Sequence, residues 1–308
     1  MFCPSCGQKN FDTALFCVKC GQNLETIKLD GKSVVQVDLE EDLQGTEQLA
    51  VTEEPPNEVI SDFNAGTRTL QEGRYRVLKE LGAGGMGKVY LARDEKMEFD
   101  VVIKEMLPFL ATPKEREYIK KHFKDEAKML YKLKHYGLPR VNDYFFEGLS
   151  IYIVMEYIKG EDLETVVKNR QTNRITAEEF FIWLWKVLDI LKYLHGQTPP
   201  IIHRDIKPGN LMLGPKNEIY LVDFGVARTI GVKSGTQTRV GTPGFASPEH
   251  FFGKFILSSD IFSLGATFHY LLTGDDPRSR NPFEYPPLEQ YRDDLPKGIQ
   301  AILDKMLD

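Results

Sequence analysis

Residues 202–210, with the sequence Ile-His-Arg-Asp-Ile-Lys-Pro-Gly-Asn, concentrate side chains that can act on a hydroxyl group. Asp205 supplies a carboxylate that can accept the hydroxyl proton, and Lys207 follows two positions later. Asn210 and Asp223, the latter in an Asp-Phe-Gly sequence, supply oxygen atoms for a metal ion. This spacing, H-R-D-x-K-x-x-x-N followed by D-F-G, fits phosphoryl transfer from ATP.

A glycine-rich stretch, residues 82–87, lies upstream between two apparent strands. A lone G-x-G-x-x-G also occurs in dinucleotide sites, but those require a helix directly after the glycines. Here the residues that follow, Lys-Val-Tyr-Leu at 88–91, have strand character. The pattern therefore predicts a strand-turn-strand flap whose backbone N–H groups can cover phosphates.

The next predicted strand, residues 101–104, ends in Lys104, and roughly 20 residues further on residues 123–133 have helical spacing. Its apolar side carries Phe123, Ala127, Leu130 and Leu133. Glu126 is the carboxylate placed to pair with Lys104 and orient its ammonium toward phosphates. By proximity alone, three other carboxylates remain rivals: Glu105, Glu115 and Glu117.

The order of glycine loop, strand lysine, helix glutamate, H-R-D-x-K-x-x-x-N and D-F-G resembles the bacterial eukaryotic-like (Hanks-type) serine/threonine protein kinases. The resemblance implies an α+β, two-lobed protein kinase fold over residues 68–308, with a β-rich N-lobe at 68–158 and a helical C-lobe at 159–308. It also implies ATP and Mg²⁺ as cofactors and proteins as substrates. Lysine two places after the aspartate marks the serine/threonine branch.

The resemblance assigns roles residue by residue. The catalytic set is Asp205, Lys207, Lys104 and Glu126, and Asn210 with Asp223 would hold magnesium. The nucleotide-binding set is Gly82, Ala83, Gly84, Gly85, Gly87, Val89, Val102, Lys104, Met155, Glu156, Tyr157, Ile158, Asp162 and Met212. Within it Met155 would be the gatekeeper and Asp162 the ribose contact. Val102 departs from the family's usual alanine and could tighten the pocket over the adenine.

Other residues are predicted to support this site. A capping box at Thr176 opens a core helix over residues 177–195. Its last residue, His195, and His203 could each be mistaken for a base, but we expect both to be structural. By the resemblance, His203 packs under the phenylalanine of D-F-G, here Phe224, and Asp260 is the buried aspartate that tethers the catalytic loop.

Residues 229–243 form a polar, glycine-rich stretch that phosphorylation could anchor. Thr236 and Thr238 resemble the doubly phosphorylated T-x-T of bacterial receptor-like kinases, so we expect autophosphorylation there, with Arg204 as the phosphate's partner. Thr242 matches the substrate-pocket threonine of the family.

The end of the chain raises a question of stability. Ser247-Pro248-Glu249 replaces the family's A-P-E, and the arginine that normally pairs with this glutamate is absent before residue 308. A buried carboxylate without its partner costs about 3–5 kcal/mol in severe cases. We therefore expect a truncated product or a fragment, with stability as the property most affected.

All four cysteines, Cys3, Cys6, Cys17 and Cys20, lie in two C-x-x-C-G sequences near the N-terminus. Four thiolates at this spacing predict a tetrahedral structural zinc site, with residues 1–24 as a zinc ribbon. A redox dithiol pair and an iron–sulfur site are the alternatives. The ribbon is a candidate surface for an adaptor partner.

Residues 25–67 are acidic and polar and contain adjacent prolines, which predicts a flexible linker. Only residues 33–39 alternate well enough for a strand. The competing interpretation is a pseudo-substrate or docking segment, with Thr67 and Thr69 as phosphorylation sites.

The whole chain of 308 residues has a net charge of -6, which argues against a nucleic-acid partner. No apolar run of about 18 residues and no signal peptide occur, so we expect a cytoplasmic protein. The primary hypothesis is an active serine/threonine kinase, for which dimerisation is a candidate route to activation. The alternative is a catalytically weak, nucleotide-binding scaffold that signals through the ribbon.

Overall fold

The computed structural model describes residues 68–84, 87–106, 113–223 and 242–308. The predicted zinc ribbon and linker, and with them all four cysteines, lie outside these ranges, as do Gly85, Phe224, Thr236 and Thr238. Across the described ranges no helix is both long and apolar enough to cross a membrane.

The N-terminal part of the described chain is an antiparallel sheet of six strands in the order β1-β2-β3-β4-β6-β5. The strands are β1 (Thr69–Leu70), β2 (Tyr75–Gly84), β3 (Gly87–Asp94), β4 (Phe99–Met106), β5 (Val141–Glu147) and β6 (Ser150–Glu156). Burial alternates along β3, so one side of this strand faces the core. Along β4 it alternates only at first, and residues 103–106 are all buried. The strand-turn-strand flap predicted around the glycines is confirmed, since Gly84 pairs with Gly87 across β2 and β3.

One helix, α1 (Pro113–Lys132), belongs to this lobe and begins ten residues before the helical stretch predicted from the apolar spacing. A proline is well tolerated in the first turn of a helix, where its missing N–H would have no partner in any case. The predicted apolar face is confirmed, because Phe123, Ala127 and Leu130 are buried.

The C-terminal part is mainly helical. Within the described residues its α-helices are α2 (Leu163–Lys168), α3 (Ala177–His195), α4 (Leu257–Thr273) and α5 (Lys297–Leu307). A small antiparallel sheet, β7 (Glu161–Asp162), β8 (Leu211–Leu213) and β9 (Ile219–Leu221), runs in the order β7-β8-β9 beside the segment that carries Asp205.

Helix α3 has the bounds and the cap that the sequence predicts. The Thr176 hydroxyl accepts a hydrogen bond from the Glu179 N–H at 3.2 Å, and the Glu179 carboxylate accepts one from the Thr176 N–H at 2.9 Å. Most of the apolar positions of this helix are buried, so it forms the centre of the lobe.

The buried apolar residues form two groups. The larger one runs from Phe123 on α1 through α3 to α4 and α5, and so joins the two lobes in one core. The smaller one covers the other face of the six-stranded sheet and contains Tyr75, Val101, Ile103 and Tyr152. The two-lobed α+β architecture expected from the sequence is confirmed.

Candidate active site

The segment that carries Asp205 is held by a buried carboxylate on α4. Both oxygens of Asp260, which is fully buried, accept backbone N–H groups: His203 donates to one and Arg204 to the other, each at 2.9 Å. His195 at the end of α3 contacts the same carboxylate at 2.8 Å. Three anchors on one aspartate fix the backbone immediately before Asp205, and His195 has the structural role predicted for it.

The side chains predicted to act on a hydroxyl meet at one point. The Thr242 hydroxyl donates to Asp205 Oδ1 at 2.8 Å, and Lys207 Nζ lies 3.3 Å from Asp205 Oδ2 and donates to Thr242 at 3.2 Å. Asn210 donates through Nδ2 to the backbone oxygen of Asp205 at 2.7 Å and to its Oδ2 at 3.1 Å. Asp205 is therefore a nearly buried acceptor whose orientation three neighbouring side chains define.

His203 is buried, and its Nε2 contacts the backbone oxygen of Val222 at 3.1 Å. Burial disfavours the imidazolium and lowers the pKa of this histidine, against the opposing effect of the carboxylates of Asp260 and Asp205. A neutral ring bonded to the backbone next to Asp223 is a structural element. The predicted packing against Phe224 lies outside the described residues.

Lys104 on β4 reaches across the cleft between the lobes and contacts the Asp223 carboxylate. Asp223 adopts a positive φ of 63°, directly after the backbone of Val222 bonds to Asn210. Glu126 lies on α1 as predicted and is partly buried. Its pairing with Lys104 stays a prediction. Of the rival carboxylates, Glu105 is used on the opposite face of β4 by four other donors.

The nucleotide-binding residues predicted on the sheet occupy neighbouring positions. Val89 on β3 pairs with Lys104, and Val102 on β4 pairs with Met155 on β6. Val89, Val102 and Met155 are only partly buried, as expected for residues that line a cleft.

Gly87 has a φ of +136°, and a Cβ there would lie 1.8 Å from the Glu105 carbonyl oxygen. Only glycine fits this close approach, so Gly87 fixes where the flap returns to the sheet. Gly82 and Ala83, on the outgoing strand of the flap, are exposed.

The segment after β6 supplies the remaining predicted contacts with the nucleotide. Glu156 ends β6 and its N–H bonds to the Arg140 carbonyl at 2.8 Å, while Ile158 is buried. Asp162 pairs with Met212 between β7 and β8. Its carboxylate accepts hydrogen bonds from the N–H and the hydroxyl of Thr165, so this aspartate is the N-cap of α2. Its contact with a ribose, like those of Tyr157 and Met212 with a nucleotide, stays a prediction.

Asn210 and Asp223 have the chemistry that a magnesium ion requires. Because Nδ2 of Asn210 donates to Asp205, its amide oxygen is the atom left to accept, and the Asp223 side chain is 41% exposed. Oxygen atoms of one amide and one carboxylate, with phosphate oxygens completing the shell, suit Mg²⁺. These two residues would hold the ion, which neutralises charge on a triphosphate when bound.

The prediction that Glu249 is left as an unpaired buried carboxylate is wrong, although its partner is a serine and not the arginine of the family. Glu249 is half-buried and accepts a hydrogen bond from the Ser259 hydroxyl at the start of α4. Burial raises the pKa of this carboxyl, but the hydrogen bonds from Ser259 and the backbone outweigh burial and lower it overall. Nothing in the sequence pattern pointed to Ser259, because the contact depends on how α4 packs.

Arg204, the predicted phosphate partner, has a positive φ of 71°, and its guanidinium carbon lies 4.8 Å from the centre of the Phe255 ring. The ring holds this cation beside the segment that carries Asp205. The threonines that it would serve, Thr236 and Thr238, are outside the described residues.

Known proteins resemble this chain over most of the described part. Residues 75–294 match the model for the protein kinase domain. "Serine/threonine-protein kinase PknA" of Nostoc is 35% identical over 221 residues, which cover 68% of this chain and 38% of the relative. "Tyrosine-protein kinase MasK" of Myxococcus xanthus is 30% identical over 282 residues, which cover 82% of this chain and 43% of the relative. The chain thus spans about two fifths of the length of these relatives.

Solved structures agree on the fold. The structure "PpkA-294 apo form" superposes with a TM-score of 0.66 at 24% identity and covers 80% of this chain and 93% of its own. The kinase domain of PknI from Mycobacterium tuberculosis superposes with a TM-score of 0.63 at 24% identity, covering 79% of this chain and 90% of its own. With its anchored aspartate, its cross-lobe lysine and a domain match over more than two thirds of its length, this chain belongs to the protein kinase family.

Proposed function

We propose that this protein is an ATP- and Mg²⁺-dependent serine/threonine protein kinase. The observation that carries the proposal is the contact of Asp205 with Thr242, Lys207 and Asn210. Asp205 is an oriented carboxylate that can accept the proton of an incoming hydroxyl. Lys207, next to that carboxylate, supplies positive charge for the transferring phosphoryl group.

In this proposal the N-lobe binds the triphosphate and the C-lobe positions the acceptor hydroxyl. The flap and β4 form the roof under which the triphosphate would lie, and Lys104 extends from that roof to Asp223. The C-lobe holds the acceptor side, because Asp260 fixes the backbone before Asp205 and Thr242 fixes its carboxylate. Phosphoryl transfer depends mainly on positioning and charge stabilisation, which this division provides.

Serine and threonine are the proposed acceptors because Lys207 follows Asp205 at the spacing of the serine/threonine branch, and because several relatives are named serine/threonine-protein kinases. One relative is named a tyrosine-protein kinase, so acceptor identity needs its own measurement. The substrates of the whole protein are proposed to be proteins with exposed Ser or Thr hydroxyls.

The decisive experiment compares the wild-type chain with Asp205→Asn, using labelled ATP, magnesium and a generic basic protein, followed by phosphoamino acid analysis. We expect wild type to label serine and threonine, and the variant to be slower by about 10²–10⁴-fold, because the amide cannot accept the proton. Equal incorporation by both would favour the catalytically weak, nucleotide-binding scaffold. Label on tyrosine alone would contradict the proposed acceptor.

We further propose that residues 1–24 are a structural zinc ribbon with Cys3, Cys6, Cys17 and Cys20 as ligands. We propose that this ribbon recruits an adaptor protein and that the protein acts in the cytoplasm. The two C-x-x-C-G sequences support the zinc site. Metal analysis of the purified protein is expected to give one zinc per chain, and substitution of Cys3 and Cys6 by serine is expected to remove it. Iron in place of zinc, or no bound metal, would contradict the site.

We also propose that the protein autophosphorylates at Thr236 and Thr238 and that Arg204 pairs with the phosphate. Dimerisation is the proposed trigger of this autophosphorylation. The T-x-T spacing and the fixed position of Arg204 over Phe255 support it. The double variant Thr236→Ala, Thr238→Ala is expected to lose most of its activity toward the basic protein. Undiminished activity would exclude this regulation.

A further inference from the structure

A polar cluster lies on the face of the six-stranded sheet opposite the cleft, and all of its members are buried except one arginine, whose side chain is 44% exposed. We call it the Glu105 cluster, and its members are Arg68, Tyr90, Glu105, Ser150 and Tyr152. The Glu105 carboxylate accepts four hydrogen bonds, from Tyr152 at 2.7 Å, Tyr90 and Ser150 at 2.8 Å, and Arg68 at 3.1 Å. Its side chain is 8% exposed.

The charge state of this cluster is defined by its donors. Burial opposes ionisation of Glu105, but hydrogen bonds from Tyr152, Tyr90, Ser150 and Arg68 together lower the pKa of the carboxyl. Burial and the bond to Glu105 raise the pKa of Tyr152 to about 12. Glu105 is therefore an anion surrounded by neutral hydroxyls and one cation, an arrangement that holds its side chain in one place.

The cluster lies directly behind the predicted ATP site. Because side chains alternate along a strand, Glu105 is fixed on one face of β4 while Lys104, the preceding residue, extends into the cleft. Tyr90 on β3 follows Val89, and the Glu105 carbonyl is the atom that Gly87 approaches. Fixing Glu105 thus fixes the backbone from which both the lysine and the return strand of the flap are positioned.

Arg68 supplies the positive charge of the Glu105 cluster. It immediately precedes β1, and its guanidinium donates to Tyr90 at 2.5 Å, to Glu105 at 3.1 Å and to Tyr152 at 3.3 Å. Its guanidinium carbon also lies 4.8 Å from the centre of the Tyr90 ring. A single planar group therefore bridges β3, β4 and β6 at the level of Lys104.

We propose that Arg68 is a positioning residue for phosphoryl transfer, which holds Glu105 and thereby the backbone of Lys104 and Gly87 in the geometry that binds ATP. The role in phosphoryl transfer rests on the proposed kinase function. Arg68 touches no substrate, so its effect passes through β4. Arg68, the first of the described residues, is in this way connected to Lys104.

Arg74 provides a matched control on the same lobe. It too pairs with carboxylates, Asp143 at 2.7 Å and Asp94 at 3.1 Å, and its guanidinium carbon lies 4.8 Å from the Tyr75 ring centre. Its partners Asp94 and Tyr75 pair with each other at the ends of β3 and β2 away from the flap. Loss of Arg74 should therefore destabilise the lobe without moving Lys104.

The experiment uses the full chain and compares wild type, Arg68→Ala and Arg74→Ala. Amide hydrogen exchange without nucleotide is expected to be faster in residues 87–91 and 101–106 of Arg68→Ala, and unchanged there in Arg74→Ala. MgATP affinity, measured by calorimetry, is expected to fall about 3- to 30-fold in Arg68→Ala and to stay at the wild-type value in Arg74→Ala. If Arg68→Ala does not fold, Arg68→Lys serves instead, because an ammonium cannot make the same three-way bridge.

The outcomes separate the two proposals. Wild-type exchange and affinity in the Arg68 variant, or equal changes in both arginine variants, would overturn the positioning role. Faster exchange confined to the Arg68 variant would support it even if the wild type transferred no phosphate, a result that would contradict only the proposed function.

Discussion

Thr242 connects two residues of the proposed acceptor site. Its hydroxyl donates to Asp205 and accepts from Lys207, so one side chain bridges the proposed proton acceptor and the proposed phosphate contact, which also contact each other at 3.3 Å. The sequence identified Thr242 only by resemblance, as a substrate-pocket residue. Its contact with Asp205 depends on how the chain returns to the catalytic segment after residue 241, which no local pattern encodes.

Substitution of Thr242 by valine, which removes the hydroxyl at nearly constant volume, is expected to lower kcat about 10- to 100-fold, because Asp205 and Lys207 lose their common partner. Thr242→Ser keeps the hydroxyl and should retain most of the activity. Steady-state kinetics with the basic protein and with ATP would measure both variants. Equal kcat values for the valine and serine variants would contradict this role.

Helix α3 shows how far local rules reach at the scale of an element. The cap at Thr176, the end at His195 and the apolar face were all predictable, because they depend on residues within a few positions of one another. Helix α1 begins ten residues before the helical stretch that the apolar spacing predicts. Its first half is rich in Lys and Glu, and only Ile119 continues the apolar face in the direction of the N-terminus, so the apolar spacing gives a weak helix signal there.

Thr176→Ala is expected to lower the free energy of unfolding by about 1 kcal/mol, because the Glu179 N–H loses its acceptor. Urea denaturation would measure this change. Thr172→Ala, at an exposed position in the preceding turn, is the control and should change stability by less than about 0.5 kcal/mol. A cap variant as stable as this control would show that α3 is held by packing alone.

The molecule as a whole should be sensitive to mild acid. His203 and His269 are buried, and burial lowers the pKa of each below its ordinary value of 6.5. Below about pH 6.5 the unfolded chain therefore binds more protons than the native state does. Because the unfolded chain binds more protons, the free energy of unfolding falls as the pH drops from about 6.5 toward the pKa values of the two histidines in the folded state.

His269→Gln tests this dependence away from the segment that carries Asp205, since the His269 ring contacts the Pro286 carbonyl at 2.8 Å and packs against Tyr285 and Tyr291. Between pH 7 and pH 5.5 the variant should lose less stability than wild type, by up to about 1.4 kcal/mol per pH unit. Urea denaturation at several pH values would measure it. Parallel stability curves for the two proteins would contradict a contribution from His269.

The family, the two-lobed fold and the bounds of α3 were predictable from the sequence and are confirmed. The sequence also predicts the roles of Asp205, Lys207 and Asn210, which stay predictions until the enzyme is assayed. These features depend on residue types at short, fixed spacings, so local interactions along the chain encode them.

Tertiary structure alone decided which groups meet across long distances along the chain. Ser259 satisfies Glu249, Thr242 reaches Asp205, and Arg68 closes the cluster around Glu105. A buried carboxylate must find donors, but which donors it finds depends on how strands and helices pack, and spacing in the sequence does not specify this.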